Sequence, residues 1–349
     1  MRGEGDRQWL QWLARSTKTQ WWHDSAEPSE IDRAIGLGAV GATTNPMLSN
    51  WALSGNREAW GDRIRDVLSR GLENERKAEE LLRIPVVCTA EKFLPEHRRT
   101  GGKTGFVCAQ VNPNRAGDRG AMIAMARRYH DWATNIAVKL PATSAGLDVL
   151  EDVLAEGITA TATVSFTVPQ VLAVAERHRA AIRRARAAGK TPGKCFAVIM
   201  IGRLDDYLRE VALDQQKGVT ESDIRKAGIA VTKRAYAIYR QRDYETSLLV
   251  AALRGNYHAT EIAGADLILS VAPSIQDSLH AAEVPRAEKI DEPVEADVLE
   301  RLGRLNEFRR AYEPDGMDPS EFVAYGVSQR TLCQFCELGW NPLERFRIG

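Results

Sequence analysis

The 349-residue sequence predicts an α/β fold, a (β/α)8 TIM barrel with an insertion after the second strand and a C-terminal helical extension. Eight short runs of apolar and β-branched residues alternate with longer segments whose apolar residues recur at three- and four-residue steps, the pattern of amphipathic helices. Glycine or proline separates most of these runs. Strands joined through helices are parallel, and eight such units are what a closed barrel requires.

The predicted strands follow one another at intervals that each leave room for a helix. They are residues 20–24, 39–44, 105–111, 136–140, 158–164, 195–201, 246–252 and 265–271. The helical patterns between them include "EIDRAIGLG", "DRGAMIAMARRYHDWA", "GLDVLEDVLAEG" and "VPQVLAVAERHRAAIRRARAAG". An open, doubly wound sheet is the alternative, but no G-x-G-x-x-G motif follows the first strand.

Two segments exceed the eight βα units. Residues 52–104 form a long insertion with a predicted helix at 57–82 and a basic tip, "EHRRTGGKTG", which is either a surface loop or a lid over the barrel mouth. Residues 290–349 contain helical patterns at 294–312 and 319–337 and are expected to form a cap. Neither segment has the character of a separate domain, so residues 1–349 are predicted to be one domain with its core at about 20–282.

Composition narrows the class of protein. Forty-seven basic and 47 acidic residues give a net charge of zero, which argues against nucleic-acid or anionic-membrane partners. Five dispersed cysteines do not form a disulfide framework, and no apolar targeting or spanning segment is present, so a cytoplasmic location is expected. The C-x-x-C of Cys333 and Cys336 has no second pair or nearby histidine, which favours packing over a metal site.

Polar residues late in the strands are the candidate site, because active sites of such barrels lie at the carboxyl ends of the strands. These residues are Asp24, Thr44, Asn45, Gln110, Asn112, Lys139, Thr161, Thr163, Arg203 and Arg254.

Lys139 is the most unusual of them, since it stands in the apolar strand "IAVKLPAT". Because side chains alternate across a strand, it points into the barrel if Val138 and Leu140 pack outward. An apolar interior disfavours an ammonium, and a neutral amine is a nucleophile that forms a Schiff base with a ketose or aldehyde. A structural ion pair between Lys139 and Asp24 is the other interpretation, and position alone leaves both open.

The neighbouring candidates fit Schiff-base chemistry. Asp24 is the only carboxylate late in a predicted strand and is suited to move protons during dehydration and bond cleavage. Thr163 offers a hydroxyl that can hold the water involved, and Asn45 can hydrogen-bond a sugar hydroxyl. Arg203 and Arg254 follow the sixth and seventh strands, where guanidinium groups can clamp a phosphate or another anion.

Five segments carry a family resemblance: "HDS" with "GATTNPML", "AVKLPATSAGLDVLEDVLAEGI", "TATATVSFTVPQVLAVAE", "IGRLDD" and "ALRGNYHATEIAGADLILSVAP". With these segments, from about residue 20 to 280, the sequence resembles the transaldolase family, which includes the fructose-6-phosphate aldolases. The resemblance implies Schiff-base formation by Lys139, proton transfer by Asp24, water positioning by Thr163, contact with substrate hydroxyls by Asn45, and a grip on the sugar phosphate by Arg203 and Arg254. Gln110 is a further catalytic candidate, and Thr44 and Thr161 are further substrate-binding candidates.

The departures from the family pattern concern polar groups. Gln110 stands where transaldolases have a glutamate, as it does in the fructose-6-phosphate aldolase branch, and an amide orients water but cannot relay a proton as a carboxylate does. Met200 stands where that branch has a tyrosine. Thr161 replaces an asparagine, and Val198 and Ala252 replace serines. The predicted pocket is therefore less polar than in either branch.

The resemblance implies transfer of a three-carbon ketol unit from a ketose donor to an aldehyde acceptor through a lysine Schiff base, as in the pentose phosphate pathway. The alternatives are aldolase-like cleavage without transfer, and a barrel with an altered substrate or lost catalysis. No cofactor or metal is implied. The expected partners are a sugar or sugar-phosphate substrate and further copies of the chain in a homo-oligomer, for which a dimer is favoured.

Overall fold

The computed structural model describes residues 8–347 of the chain. Eight parallel strands close into a barrel in sequence order, which confirms the predicted (β/α)8 class. Each predicted strand is present, although β2 keeps only two residues. The strands are β1 Gln20–His23, β2 Gly41–Ala42, β3 Phe106–Gln110, β4 Ile136–Pro141, β5 Ala160–Thr163, β6 Cys195–Met200, β7 Ser247–Ala251 and β8 Ile268–Val271.

Helices connect the strands and surround the barrel. Up to β8 they are α1 Trp9–Ser16, α2 Pro28–Gly36, α3 Pro46–Gly55, α4 Arg57–Ser69, α5 Asn74–Arg99, α6 Arg119–His130, α7 Ser144–Ala155, α8 Val168–Ala187, α9 Ile201–Gln215, α10 Glu221–Gln241 and α11 Asn256–Glu261. Beyond β8 they are α12 Pro273–Ala281, α13 Ala296–Leu302, α14 Asn306–Tyr312, α15 Gly326–Phe335 and α16 Asn341–Glu344. Within residues 8–347, no helix has the length and apolar character needed to cross a membrane.

Aromatic rings fill the barrel interior near the amino ends of the strands. The Phe196 ring lies 4.8 Å from Trp22 and 5.6 Å from Phe106 between centroids. A β-carbon at Gly41 would come within 2.7 Å of the Trp22 ring, so the glycine is what allows the indole to lie there. This aromatic layer leaves the carboxyl ends of the strands for polar side chains.

The insertion after β2 differs from its predicted form. The single helix expected at 57–82 is wrong: α4 ends at Ser69, Gly71 adopts a left-handed conformation with φ of 64°, and α5 begins at Asn74. Glycine takes that conformation without steric cost, so it ends one helix and permits the next to turn away.

Residues 95–104 do not form a lid over the barrel mouth, which was one of the two alternatives for this segment. α5 is 26 residues long, about 39 Å at the usual rise, and leads directly into β3. It therefore has to run from the carboxyl to the amino ends of the parallel strands. Gly105 donates a 2.7 Å hydrogen bond to the carbonyl of Val40 just before β2, which places the tip at the end of the barrel away from Lys139.

The C-terminal extension does cover the carboxyl ends of the strands. α15 packs on α9, and the π-helical turn that follows it, Cys336–Trp340, packs on α3 across the barrel mouth. The predicted helix at 294–312 is divided into α13 and α14. Arg301 at the end of α13 forms a 2.8 Å ion pair with the buried Asp223 at the start of α10, and this ties the extension to the barrel.

Candidate active site

Lys139 lies at the floor of a cleft of about 410 Å³ at the carboxyl ends of the strands. Its side chain is 5% exposed, and Nζ donates to the carbonyl of Thr44 at 3.4 Å. Gln110 and Thr161 are its register partners on the neighbouring strands, so all three side chains share the inner face of the barrel. The inward direction expected from strand alternation is therefore the observed one.

Asp24 lines the same cleft, just beyond β1. Its carboxylate accepts a 2.6 Å hydrogen bond from the hydroxyl of Thr43, which in turn lies 2.5 Å from the hydroxyl of Ser270. Because Thr43 has one proton and gives it to the carboxylate, Ser270 donates to Thr43. Within residues 8–347, Lys139 forms no ion pair with Asp24, so the structural ion-pair interpretation has no support in the geometry.

Gln110 and Thr163 place two polar atoms beside the lysine. Gln110 pairs with Lys139 in the β3–β4 register, and Thr163 pairs with Pro141, two residues nearer the carboxyl end. Among the described residues, neither Oε1 of Gln110 nor Oγ1 of Thr163 has a hydrogen-bond partner, although both are fully enclosed. An unsatisfied buried polar group costs about 1–3 kcal/mol, so these atoms are suited to bind a substrate or a water molecule.

Two predicted substrate contacts do not face the cleft. The hydroxyl of Thr44 donates to the carbonyl of Cys108 at 2.6 Å, and that of Thr161 lies 3.6 Å from Cys108 Sγ in the barrel interior. Both side chains are buried completely. Each hydroxyl contacts Cys108 of β3 instead, so Thr44 reaches Lys139 through its main-chain carbonyl.

Asn45 does line the cleft, and it also begins a helix. Its amide oxygen accepts from the backbone N–H of Leu48 at 3.0 Å as the N-cap of α3. The cap uses the oxygen, so the amino group is the part of Asn45 that can donate to a ligand.

Arg203 and Arg254 form a cationic end to the cleft. Burial and the neighbouring Arg254 lower the pKa of Arg203 to about 10, so this guanidinium remains charged at neutral pH. Arg254 forms a 2.8 Å ion pair with Asp206 and donates to the carbonyl of Ala252 at 2.9 Å. The two arginines follow β6 and β7, as predicted, and suit a phosphate or another anion.

A sequence profile of the family described as Transaldolase/Fructose-6-phosphate aldolase matches residues 21–314. The chain belongs to the transaldolase/fructose-6-phosphate aldolase family.

Curated relatives of this family member carry the name transaldolase. The transaldolase of Neisseria gonorrhoeae is 30% identical over 253 residues, which is 71% of this chain and 67% of that protein. Transaldolase 1 of Streptomyces avermitilis is 28% identical over 58% of this chain and 54% of its own length. The transaldolase of Mycolicibacterium paratuberculosis is 30% identical over 58% of this chain and 55% of its own length.

Part of the cleft wall formed by β6 and β7 is apolar. Met200 and Ala252 line it, and Val198 is buried below them on β6. The side of this transaldolase-family cleft formed by β6 and β7 therefore presents methyl and thioether groups beside the arginine pair.

The C-terminal helix of this family member supplies site residues that the sequence interpretation missed. The side-chain oxygen of Gln334 accepts a short hydrogen bond from Nη1 of Arg203, and the Arg203 guanidinium lies 5.4 Å from the centre of the Phe335 ring. Phe335 also lines the cleft. Both residues lie beyond residue 314, where the family match ends, so no family motif could have identified them.

A buried histidine holds the backbone of Arg254. Nδ1 of His258 accepts from the Arg254 N–H at 3.1 Å, and Nε2 lies 2.8 Å from the carboxylate of Asp205. Because a backbone N–H can only donate, Nδ1 bears the lone pair and Nε2 carries the proton donated to Asp205. Asp205 and His258 are part of the matching segments "IGRLDD" and "RGNYH", but only the fold brings them together.

Gln170 holds the turn that follows Thr163. Val164 adopts φ of 55°, which strains a β-branched residue by on the order of 1–3 kcal/mol. The Gln170 amide donates to the Val164 carbonyl at 3.0 Å and accepts from the Phe166 N–H at 2.9 Å. The amide therefore fixes a strained turn directly after the hydroxyl predicted to position water.

The C-x-x-C flanks Gln334 and Phe335, but neither thiol lines the cleft, and Cys333 does not pack as expected. Cys333 is exposed, and Cys336 is partly buried, which raises its pKa to about 11. In residues 8–347, no cluster of three histidine, cysteine or acidic side chains is arranged to hold a metal ion.

Proposed function

We propose that this chain transfers a three-carbon ketol unit from a ketose or ketose-phosphate donor to an aldehyde acceptor through a Schiff base on Lys139. The observation that carries the proposal is the position of Lys139, an almost fully buried amine without a carboxylate partner in the described chain, at the floor of a cleft that has Asp24 beside it and two arginines at one end. An amine enclosed at the floor of a cleft is placed to attack a substrate carbonyl.

The proposed reaction begins when Nζ of Lys139 attacks the donor carbonyl. Asp24 transfers protons as water leaves the carbinolamine, which gives a protonated Schiff base. Asp24 then takes the proton of the donor's carbinol hydroxyl, the adjacent carbon–carbon bond breaks, and an aldehyde leaves. The electron pair of that bond moves into the iminium, so a three-carbon enamine remains on Lys139. Addition of the enamine to an acceptor aldehyde and hydrolysis of the new Schiff base complete the transfer.

Gln110 and Thr163 fit the water-dependent steps of this cycle. Their enclosed, unpartnered oxygen atoms lie on the inner face beside Lys139, where a water molecule leaves and later returns. Asn45 is suited to donate to a hydroxyl of the ketol unit, and Arg203 with Arg254 to bind a terminal anion of the donor.

Aldol cleavage without transfer is the second candidate. Gln110 favours it, since the residue is an amide in the fructose-6-phosphate aldolase branch that the sequence resembles. In that case the enamine is protonated and hydrolysed to release dihydroxyacetone. A cytoplasmic homodimer remains the proposed form of the protein, to be checked by light scattering of the purified chain.

Borohydride trapping tests the proposal. The protein is incubated with fructose 6-phosphate or dihydroxyacetone, reduced and digested, and the peptide that contains Lys139 is measured by mass spectrometry. A reduced three-carbon adduct is expected there, and Lys139→Met provides the control. Absence of an adduct across a panel of ketose donors would refute Schiff-base catalysis. When the adduct forms, addition of erythrose 4-phosphate separates the candidates: a seven-carbon product indicates transfer, and free dihydroxyacetone indicates cleavage.

A further inference from the structure

The cleft above Lys139 has two chemically different sides. Arg203 and Arg254 follow β6 and β7 and are cationic, whereas α3 follows β2 and contributes Met47, Leu48 and Trp51. Strands β2 and β6 are four steps apart in a closed eight-stranded barrel, so these two sides face each other across the mouth. A ligand that spans the cleft therefore meets guanidinium groups on one side and apolar groups on the other.

Trp51 is the most unusual residue of the apolar side. Its side chain is 53% exposed at the rim of the cleft, in a chain that buries Trp21, Trp22, Trp60 and Trp340 almost completely. An indole left open to solvent at the edge of a reaction cleft offers a flat apolar surface on which a ring or alkyl chain can pack.

The C-terminal extension completes this wall. Phe335 lies fully buried over the cleft, and the π-helical turn after it approaches α3 so closely that a β-carbon on Gly339 would lie 2.6 Å from the backbone nitrogen of Met47. Asn50 of α3 also donates to the carbonyl of Leu338 at 3.3 Å. The apolar side is thus a packed surface formed by two segments of the chain.

The polar groups of the cleft other than Lys139 and the arginines follow β1, β2 and β8, namely Asp24, Ser25, Glu30, Thr43, Asn45 and Ser274, whereas Met47, Leu48 and Trp51 of α3 bring apolar side chains. The hydroxyls of Thr44 and Thr161 are turned into the sheet, and Met200 and Ala252 bring only apolar atoms to the opposite wall. A polyhydroxylated acceptor laid against Met47, Leu48 and Trp51 would lose hydration without gaining hydrogen bonds in return.

We infer that the acceptor of this site is an aldehyde that carries an apolar substituent, an aromatic ring or an alkyl chain, packed against Met47, Leu48, Trp51 and Phe335. The inference rests on the proposed function, since the aldehyde reacts with the enamine on Lys139. The nucleophilic carbon of the enamine bonds to the aldehyde carbon, the aldehyde oxygen takes up a proton and becomes a hydroxyl, and the substituent stays unchanged against the apolar wall. The ketol donor keeps its place beside Asp24 and Asn45.

The test compares the reactivity of four acceptor aldehydes toward the same donor. Dihydroxyacetone is supplied to the purified full-length chain together with phenylacetaldehyde, butanal, glyceraldehyde or erythrose 4-phosphate, and kcat/KM for each aldol product is measured by chromatography. We expect phenylacetaldehyde to exceed glyceraldehyde by about tenfold, the size of one good aromatic contact. Trp51→Ala is expected to remove most of that preference and Trp51→Phe to keep it. Ile35→Ala, an exposed apolar residue on α2, is the matched control and leaves the preference unchanged.

The outcomes separate this inference from the function on which it rests. If the Lys139 adduct does not form, the Schiff-base proposal fails, and this inference fails with it. If the adduct forms but glyceraldehyde or erythrose 4-phosphate is preferred, the apolar acceptor is refuted and the Schiff base stands. Light scattering of Trp51→Ala covers the remaining explanation: a changed molecular mass with an unchanged acceptor preference would assign Trp51 to a subunit interface and overturn the inference.

Discussion

Arg203 at the start of α9 donates to the side-chain oxygen of Gln334 at the end of α15, 131 residues later in the chain. No carboxylate among the described residues pairs with this guanidinium, which instead meets a neutral amide and the Phe335 ring. The contact orients Arg203 without cancelling its charge. The cationic end of the cleft therefore depends on the C-terminal helix.

Removal of the Gln334 amide should weaken binding of anionic donors. Gln334→Ala is expected to raise KM for fructose 6-phosphate by about fivefold to tenfold, since a hydrogen bond to a charged group contributes about 1.5–3 kcal/mol and only part of it is lost to a reoriented arginine. The increase in KM for dihydroxyacetone, which has no anionic group, should be smaller. Gln329→Ala on the exposed face of the same helix is the control. Equal effects on both donors would contradict a role through Arg203.

Asp24 should matter for chemistry more than for binding. Asp24→Asn keeps the shape and the hydrogen bond from Thr43 but removes the proton acceptor, so kcat is expected to fall by about 10²–10⁴-fold with little change in KM. Steady-state kinetics of product formation measure both constants. A loss that appears mainly in KM would instead assign Asp24 to substrate binding.

His258 should stabilise the barrel and set the position of Arg254. Among the described residues, His258→Ala leaves the buried carboxylate of Asp205 with only the Gly228 N–H as a partner, and loss of a hydrogen bond to a charged group costs about 1.5–3 kcal/mol. Urea unfolding should show the loss in the free energy of unfolding, and KM for fructose 6-phosphate should rise. His280→Ala, an exposed histidine on α12, is the control. A stable variant with unchanged KM would show that the Asp205–His258 pair does not act on Arg254.

The ion pair between Arg301 and Asp223 should make the free energy of unfolding depend on pH in the acidic range. Arg301 and the backbone of Thr220 lower the pKa of Asp223 from 3.8 to about 2. Because the folded-state pKa lies below the unfolded value, the stabilisation is complete above a pH of about 4 and is lost as the pH falls toward 2. At neutral pH this ion pair contributes on the order of 2 kcal/mol to the free energy of unfolding.

Arg301→Gln measures this contribution. The difference in the free energy of unfolding between wild type and Arg301→Gln should be largest at neutral pH and should shrink between pH 4 and 2. Arg304→Gln removes an exposed arginine paired with Glu300 at 3.6 Å and serves as the control, with no comparable pH dependence. A constant difference down to pH 2 would refute the assigned titration of Asp223.

The barrel could be predicted from the sequence because the residue pattern that indicates each strand lies within the strand itself. The β-branched run around Lys139 forms a strand on its own preferences, and alternation then directs the lysine inward, as observed. Asp24, Asn45 and the two arginines could also be predicted, since the carboxyl ends of parallel strands meet at one edge of the barrel. The sequence motifs that contain these residues also predicted the family to which the chain belongs.

Local pattern was insufficient where distant parts of the chain compete for the same groups. The hydroxyls of Thr44 and Thr161 were expected in the cleft, but the Thr44 hydroxyl donates to the Cys108 carbonyl on the neighbouring strand β3, and the Thr161 hydroxyl contacts Cys108 Sγ across the barrel interior. Gly71 divides the expected helix at 57–82, and the length of α5 carries the basic tip to the far end of the barrel. The periodic pattern of apolar residues does not reveal these long-range contacts, the break at Gly71 or the direction in which α5 runs.

The sequence by itself determined the eight βα units, the inward lysine and the rim positions of Asp24, Asn45, Arg203 and Arg254, because strand alternation and parallel topology act within short segments. Only the tertiary structure decided that Gln334 and Phe335 hold Arg203, that His258 and Asp205 hold Arg254, and that Trp51 stands open at the mouth. Those relationships join residues separated by 50 or more positions in most cases and exist only once the barrel has closed and the C-terminal helix has packed across it.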